Sequence, residues 1–154
     1  MSPDVPEFLV RPAQPEDEEA LLPLAVELAT SFVPERVAFA RSLAHVLADD
    51  AATVLVATAV EPAVEPAGRT PVVGYVHVLV HPAFHANGNV GWVEEVVVAP
   101  QFRGSGCGRL LLEAAGEWAR GAGAVYVALA TRRAGEFYRA LGFEESAVYF
   151  KKPS

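Results

Sequence analysis

The sequence predicts an α+β fold, a mixed and mainly antiparallel twisted sheet of six to seven strands flanked by about four helices. Three observations lead there. Short runs rich in β-branched and aromatic residues alternate with longer segments whose apolar residues recur at helical spacing. Three of these runs, Thr53 to Val60, Val72 to Val80 and about Trp92 to Ala99, have no helix between them, which predicts an antiparallel meander. The third is followed by a helical segment and another apolar run, and strand, helix, strand in that order predicts a right-handed parallel crossover. With 154 residues, 52% of them apolar and 20% charged, the chain has the composition of one packed domain spanning residues 1–154.

Taken in order, Phe8-Leu9-Val10 reads as an opening strand, followed by the turn-forming run Arg11 to Pro15. Glu16, Asp17, Glu18 and Glu19 suit the positive end of a helix dipole as a solvated start, and Leu21, Leu24, Ala25 and Leu28 then share a face. A second helix opens at Ser31 to Pro34 and runs to about Ala48, with Phe39, Leu43, Val46 and Leu47 on one side. Pro62, Pro66, Gly68 and Pro71 make the connection Glu61 to Pro71 a loop longer than a tight hairpin, and His81 to Gly91 reads as a further turn. The helix from about Gly106 to Arg120 aligns Leu111, Ala115 and Trp118, and Gly121-Ala122-Gly123 stops it. Val125 to Ala130 is a central-strand run, Arg133 to Leu141 a last helix, and Phe143 to Lys151 one or two edge strands that offer a surface for a homodimer.

Composition removes several classes of function. No run of 18 or more uncharged apolar residues occurs, and Asp4 and Glu7 stand where a leader would be basic, so neither a membrane partner nor export is expected. Cys107 is the only cysteine and no Cys/His cluster has zinc spacing; no metal is expected and the cytoplasm is the expected compartment. Twelve Lys and Arg against 19 Asp and Glu give a net charge of −7, which repels a phosphate backbone and attracts a cationic amine. Nucleic acid is not an expected partner.

Glycine is concentrated in Gln101-Phe102-Arg103-Gly104-Ser105-Gly106-Cys107-Gly108-Arg109, fed by a strand and left by a helix. Glycines there permit positive φ and let a ligand touch bare backbone, while the free amides of the helix start point into the turn. With Arg103 and Arg109 alongside, the segment reads as an anion site for phosphate oxygens. It is not a P-loop, because no Lys-Ser or Lys-Thr pair exists in the chain, and the alternate glycine spacing is not the Gly-x-Gly-x-x-Gly of a dinucleotide site.

At these residues the sequence resembles the GNAT superfamily of N-acetyltransferases, whose cofactor signature Gln/Arg-x-x-Gly-x-Gly/Ala is met in two registers, Gln101-x-x-Gly104-x-Gly106 and Arg103-x-x-Gly106-x-Gly108. Val10-Arg11-Pro12-Ala13 is similar to the family's opening strand, Glu94 to Pro100 to its fourth strand, and Ala134 to Phe143 to its late helix and Gly-Phe turn. The resemblance implies the acyl-CoA N-acyltransferase fold and acetyl-CoA as co-substrate. It further implies pyrophosphate on the amides of Arg103 to Arg109, main-chain pairing of Val96 and Val98 with pantetheine, and the thioester near Val96 and Val97. Tyr138 matches the family tyrosine assigned as the acid that protonates the leaving thiolate. Thr131 stands where the family often has an asparagine that helps hold the pantetheine arm, and a hydroxyl cannot make the pair of bonds an amide makes.

An amine attacking a thioester must first lose a proton, since an alkyl ammonium has a pKa of about 10.4. Strand alternation puts Glu94 on the face of Val96 and Val98 and turns Glu95 away, which makes Glu94 the first candidate base and Glu95 the next. His77 and His85 are further candidates. Main-chain N–H groups of Val96 to Val98 could hold the oxyanion. Cys107 at a helix start invites an acetyl-enzyme reading, but beside the pyrophosphate it would stand far from the thioester. A non-catalytic acyl-CoA sensor is the alternative, and the acceptor amine has no recognisable code.

Overall fold

Five valine-rich and alanine-rich runs pair in chain order. In the computed structural model the described residues are 7–60 and 71–154. The strands are β1 (Glu7–Pro12), β2 (Ala52–Val60), β3 (Val72–Ala83), β4 (Gly88–Val98) and β5 (Ala124–Leu129), in the sheet order β1-β2-β3-β4-β5. The first four pair antiparallel, and β5 lies parallel to β4. The helices are α1 (Glu18–Leu28), α2 (Arg36–Leu47), α3 (Cys107–Gly121) and α4 (Gly135–Ala140). No described helix is long and apolar enough to cross a membrane.

The two faces of the sheet carry separate cores. On one, Leu111, Ala115 and Ala119 of α3 recur every four residues, are fully buried, and pack on Val76 and Val78 of β3 and Val93 of β4. A buried leucine of this kind is worth about 1.5–3 kcal/mol. Gly74 lets α3 approach, since a Cβ there would stand 2.8 Å from the Val97 carbonyl oxygen and 3.2 Å from the Leu111 side chain. On the other face Leu21, Leu24 and Ala25 of α1 and Leu43 of α2 cover Val54, Val56, Tyr75 and Val97. Phe102 packs against both cores and meets the Phe8 ring edge-on at 6.0 Å.

Several expectations are corrected. The sheet has five strands among the described residues, because Phe143 to Lys151 forms none. Val148, Tyr149 and Phe150 are 76%, 64% and 88% exposed, so their strand propensity meets no half-buried surface that would reward pairing. The edge strands proposed as a homodimer surface are therefore missing. The turn expected over His81 to Gly91 is tighter: β3 and β4 stay paired to Ala83 opposite Gly88, and a short 3-10 turn with Asn87 at φ 56° closes the hairpin. The second helix starts at Arg36 rather than Pro34, with the Glu35 carboxylate accepting from the Ala38 N–H at 2.9 Å. The solvated acidic start is only partly so, since Asp17 is buried and holds both Arg11 guanidinium nitrogens at 2.8 and 2.9 Å. The readings of residues 1–6 and of the 61–70 connection lie outside the described residues.

Candidate active site

The residues read as an anion site form the turn into α3 and its first turn. After Ala99 a short 3-10 turn, Pro100–Phe102, uses the N–H groups of Phe102 and Arg103 on the Ala99 and Pro100 carbonyls. Gly104 and Gly106 follow at φ 78° and 90°, a region that side-chain-bearing residues rarely adopt. The next helical bond is Leu110 N–H to Gly106 C=O. The six N–H groups from Gly104 to Arg109 have no acceptor among the described residues, and the α3 macrodipole points its positive end at them. The space where Cβ atoms of Gly104 and Gly106 would stand is open. Gly108 is already helical, with Val98 and the Phe137 ring as its neighbours, so the two positive-φ glycines are those of the register beginning at Gln101.

The Ser105 hydroxyl donates to the Phe102 carbonyl and closes the turn. Arg109 is paired along its helix with Glu113 at 3.0 Å, and Arg103 reaches Glu27 of α1 at 3.4 Å. Both pairs are exposed and weak, so either guanidinium can turn toward an anion. Cys107 is buried under α3, and burial pushes its thiol up to about 11. That protonated, inaccessible sulfur is a poor nucleophile.

Next to the turn, β4 offers a free backbone edge. Ala99 N–H donates to the Val73 carbonyl at 2.8 Å, and because backbone groups alternate in direction, those of Val97 and Glu95 also face β3. The N–H and C=O groups of Val96 and Val98 therefore face the other side. There β5 pairs only as far as Leu129 opposite Val93, so a ligand can bind these groups as an added strand.

A bulge in β4 overturns the strand-face argument for the two glutamates. Val78 pairs with Val93 and His77 with Glu95, which leaves Glu94 as an extra residue. Alternation is reset across it: Val93, Val96 and Val98 all pack on the α3 side. Glu94 does not share a face with Val96 and Val98, as strict alternation would require. Both Glu94 and Glu95 instead line a cavity of about 680 Å³ between the sheet and the α1–α2 pair, together with Tyr75 and His77.

Within that cavity the two carboxylates differ. Glu94 is exposed and accepts from the Trp92 indole N–H at 2.7 Å. Glu95 is half-buried and accepts from the Tyr75 hydroxyl at 2.5 Å. Burial first, then the charge of Glu95 and the hydrogen bond to it, push the Tyr75 phenol far above its ordinary value. Burial also lowers His77 below 6.5, although Glu95 and Glu94 pull it back upward. Sequence reasoning missed Tyr75; the signal was a lone phenol in the apolar run Val72 to Val80, two residues from His77. His85, the other histidine considered, sits at the far end of β4 and bonds the Tyr126 hydroxyl at 2.9 Å.

Tyr138 of α4 lies on the other side of β4, in a groove it shares with Arg109 and Thr131. Its ring meets those of Phe137 and Phe143 edge-on at 5.1 and 5.7 Å, and burial raises its hydroxyl above the ordinary value, which keeps the proton available. Thr131 is committed locally, because its hydroxyl accepts from the Ala134 N–H at 3.1 Å in the turn before α4.

A family model described as an acetyltransferase (GNAT) domain matches residues 45–145. Over 70 residues the chain is 44% identical to aminoglycoside N(6')-acetyltransferase type 1 of Stenotrophomonas maltophilia, covering 42% of this chain and 46% of that one. Over 81 residues it is 37% identical to glucosamine 6-phosphate N-acetyltransferase of Trypanosoma brucei brucei, covering 51% of this chain and 54% of that one. The chain thus spans about half the length of the curated relatives it matches. An aminoglycoside N-acetyltransferase solved in complex with CoA superimposes over 100% of both chains with a TM-score of 0.76 at 19% identity, which is a likeness of fold.

Proposed function

The chain belongs to the GNAT acetyltransferase family, and from that premise we propose that it transfers an acetyl group from acetyl-CoA to a primary amine by direct attack in a ternary complex. The observation that carries this reading is the run of six unpaired N–H groups from Gly104 to Arg109 beside the unpaired edge of β4 at Val96 and Val98. Phosphate oxygens suit the first, and an extended amide-bearing arm suits the second. In this reading Arg103, Gly104, Ser105, Gly106, Cys107, Gly108 and Arg109 surround the pyrophosphate, and Gln101 supports the turn before them.

The carrier's thioester would then lie along β4 near Val96 and Val97, with the α1–α2 cavity on one side and the Tyr138 groove on the other. An ammonium entering through the cavity gives up its proton to a carboxylate, directly or through water; Glu95 is the first choice, because it is half-buried beside Tyr75 and His77, and Glu94 is the second. The neutral nitrogen attacks the thioester carbonyl and forms the C–N bond, while a main-chain N–H of Val96 or Val98, not that of Val97, which faces β3, stabilises the oxyanion. Collapse breaks the C–S bond, the departing thiolate takes the proton of the Tyr138 hydroxyl, and the proton that the nitrogen sheds on becoming an amide returns through water to restore the phenol. The products are an amide and free coenzyme A.

The decisive experiment measures heat of mixing with coenzyme A and, separately, thiol release from acetyl-CoA across a panel of amines with mass detection of the product. Binding with amine-dependent thiol release is expected. Binding without release from any amine would make the chain an acyl-CoA sensor, and no binding would remove the reading altogether.

A further inference from the structure

Resting on the acyl-transfer reading above, we propose that the acceptor is an amphipathic monoamine, one primary ammonium on an apolar aliphatic or aromatic body, and not a phosphosugar or a polyhydroxylated amine. The cavity that carries this is divided chemically. Glu94 and Glu95 lie on its strand side with His77, which burial keeps toward the neutral form, so two of its three carboxylates stand together there, the third being the α2 cap Glu35. The opposite wall, from α1 and α2, is made by Leu21, Leu28, Ala25, Phe39, Leu43 and Val46. Phe32 and Val33 extend that apolar wall to the mouth, where they are 82% and 85% exposed.

Each competing acceptor meets a specific obstacle. A phosphate would find three carboxylates, Glu35, Glu94 and Glu95, against Lys151 as the single lysine or arginine among the lining residues. Glu35 is in any case occupied in capping α2. A sugar with many hydroxyls would lay most of them on leucine, valine and phenylalanine side chains that cannot hydrogen-bond, with Thr30, Ser31 and Ser42 the hydroxyls on the helix side, and each hydroxyl stripped of water without a partner is penalised. An alkyl or arylalkyl body faces neither problem and covers Phe32 and Val33, whose exposure otherwise has no function in the fold. The volume of about 680 Å³ lies within the range of ~300–1,000 Å³ that suits a small ligand.

The test uses the intact chain, acetyl-CoA and thiol release, with the n-alkylamines from propylamine to hexylamine, phenethylamine, glucosamine 6-phosphate and kanamycin as acceptors. Each methylene laid on the wall should raise kcat/KM about threefold to fourfold. Phenethylamine should exceed the phosphosugar and kanamycin by at least ~tenfold. Ser42→Trp, which puts a large side chain at an exposed position of the cavity wall, should abolish the methylene gradient while the heat of coenzyme A binding is kept. A flat alkylamine series, a preference for glucosamine 6-phosphate or kanamycin, or a gradient that survives Ser42→Trp would overturn the acceptor class and leave acyl transfer standing. Absence of thiol release from every amine would overturn both, and that result is distinct from all the others.

Discussion

The two faces of the sheet are finished in opposite ways. Under α3 the contact is closed: Leu111, Ala115 and Ala119 are fully buried, and Gly74 removes a side chain that would hold the helix away. Under α1 and α2 the contact is left open, and a cavity of about 680 Å³ separates helices from strands where Glu94 and Glu95 emerge. The difference assigns two tasks. The closed face fixes β4 and the turn before α3, so that the N–H groups of Gly104 to Arg109 are held in place before any ligand arrives; the open face leaves room for a second molecule.

Preorganisation of the turn gives the largest expected effect. Gly106 has φ 90°, with open space where a side chain would project, so Gly106→Trp both strains the turn and fills the space in front of its unpaired N–H groups. Calorimetry should detect no coenzyme A binding, a loss of at least ~100-fold, while the melting transition persists. Retained binding would mean that the phosphates lie elsewhere.

Packing should separate the faces next. Leu111→Ala opens an enclosed void under α3 and should cost about 3–5 kcal/mol by chemical denaturation. Leu43→Ala, at the wall of an existing cavity, leaves no new enclosed void and should cost about 2 kcal/mol. Equal losses would show that the open face is as tightly determined as the closed one.

Chemistry across β4 comes third. Tyr138→Phe should lower kcat about 100-fold with coenzyme A affinity unchanged, and Glu95→Gln should do the same from the cavity side, with Glu94→Gln milder. A larger loss in Glu94→Gln would exchange the two glutamates' roles, and full activity in Tyr138→Phe would remove the assigned acid.

The closed face and the turn were legible in the sequence, whereas the open face was not. Leu111 and Ala115 announce a buried stripe by spacing alone, and Gly104 and Gly106 are needed for a backbone conformation that other residues avoid. The order of strands and helices through β5 followed from equally local signals. The bulge at Glu94 left no such mark: one extra residue reverses the parity of everything after it, and two adjacent glutamates read the same in either register. Nor could spacing show that Tyr75 donates to Glu95 twenty residues away, which depends on which strands meet, or that Asp17 turns inward to Arg11, which depends on the shape of the turn between them. Val148, Tyr149 and Phe150 failed in the opposite direction, carrying strand propensity with no surface to pair on.

The smallest effect tests whether the two faces also differ in their response to pH. Burial lowers His77 on the open face, so below 6.5 the unfolded chain takes up a proton that the folded chain refuses. The stability this site contributes is complete above 6.5 and is lost as the pH falls through the lowered folded value. Cys107 on the closed face behaves in the reverse sense, because its thiol is pushed up to about 11 from 9.0: its contribution is complete below 9.0 and is lost as the pH rises toward 11. Acid should therefore weaken the cavity side and alkali the packed side. Denaturation between pH 5 and 7.5 should show a shallower acid loss in His77→Asn than in the parent chain, and Cys107→Ala should flatten the decline between pH 8.5 and 9.5, short of the 10.0 at which Tyr75 and Tyr138 of the unfolded chain titrate. If His77→Asn keeps the parent's acid slope, the histidine is solvated in solution, and the open face is wetter than its packing against Tyr75 and Glu95 implies.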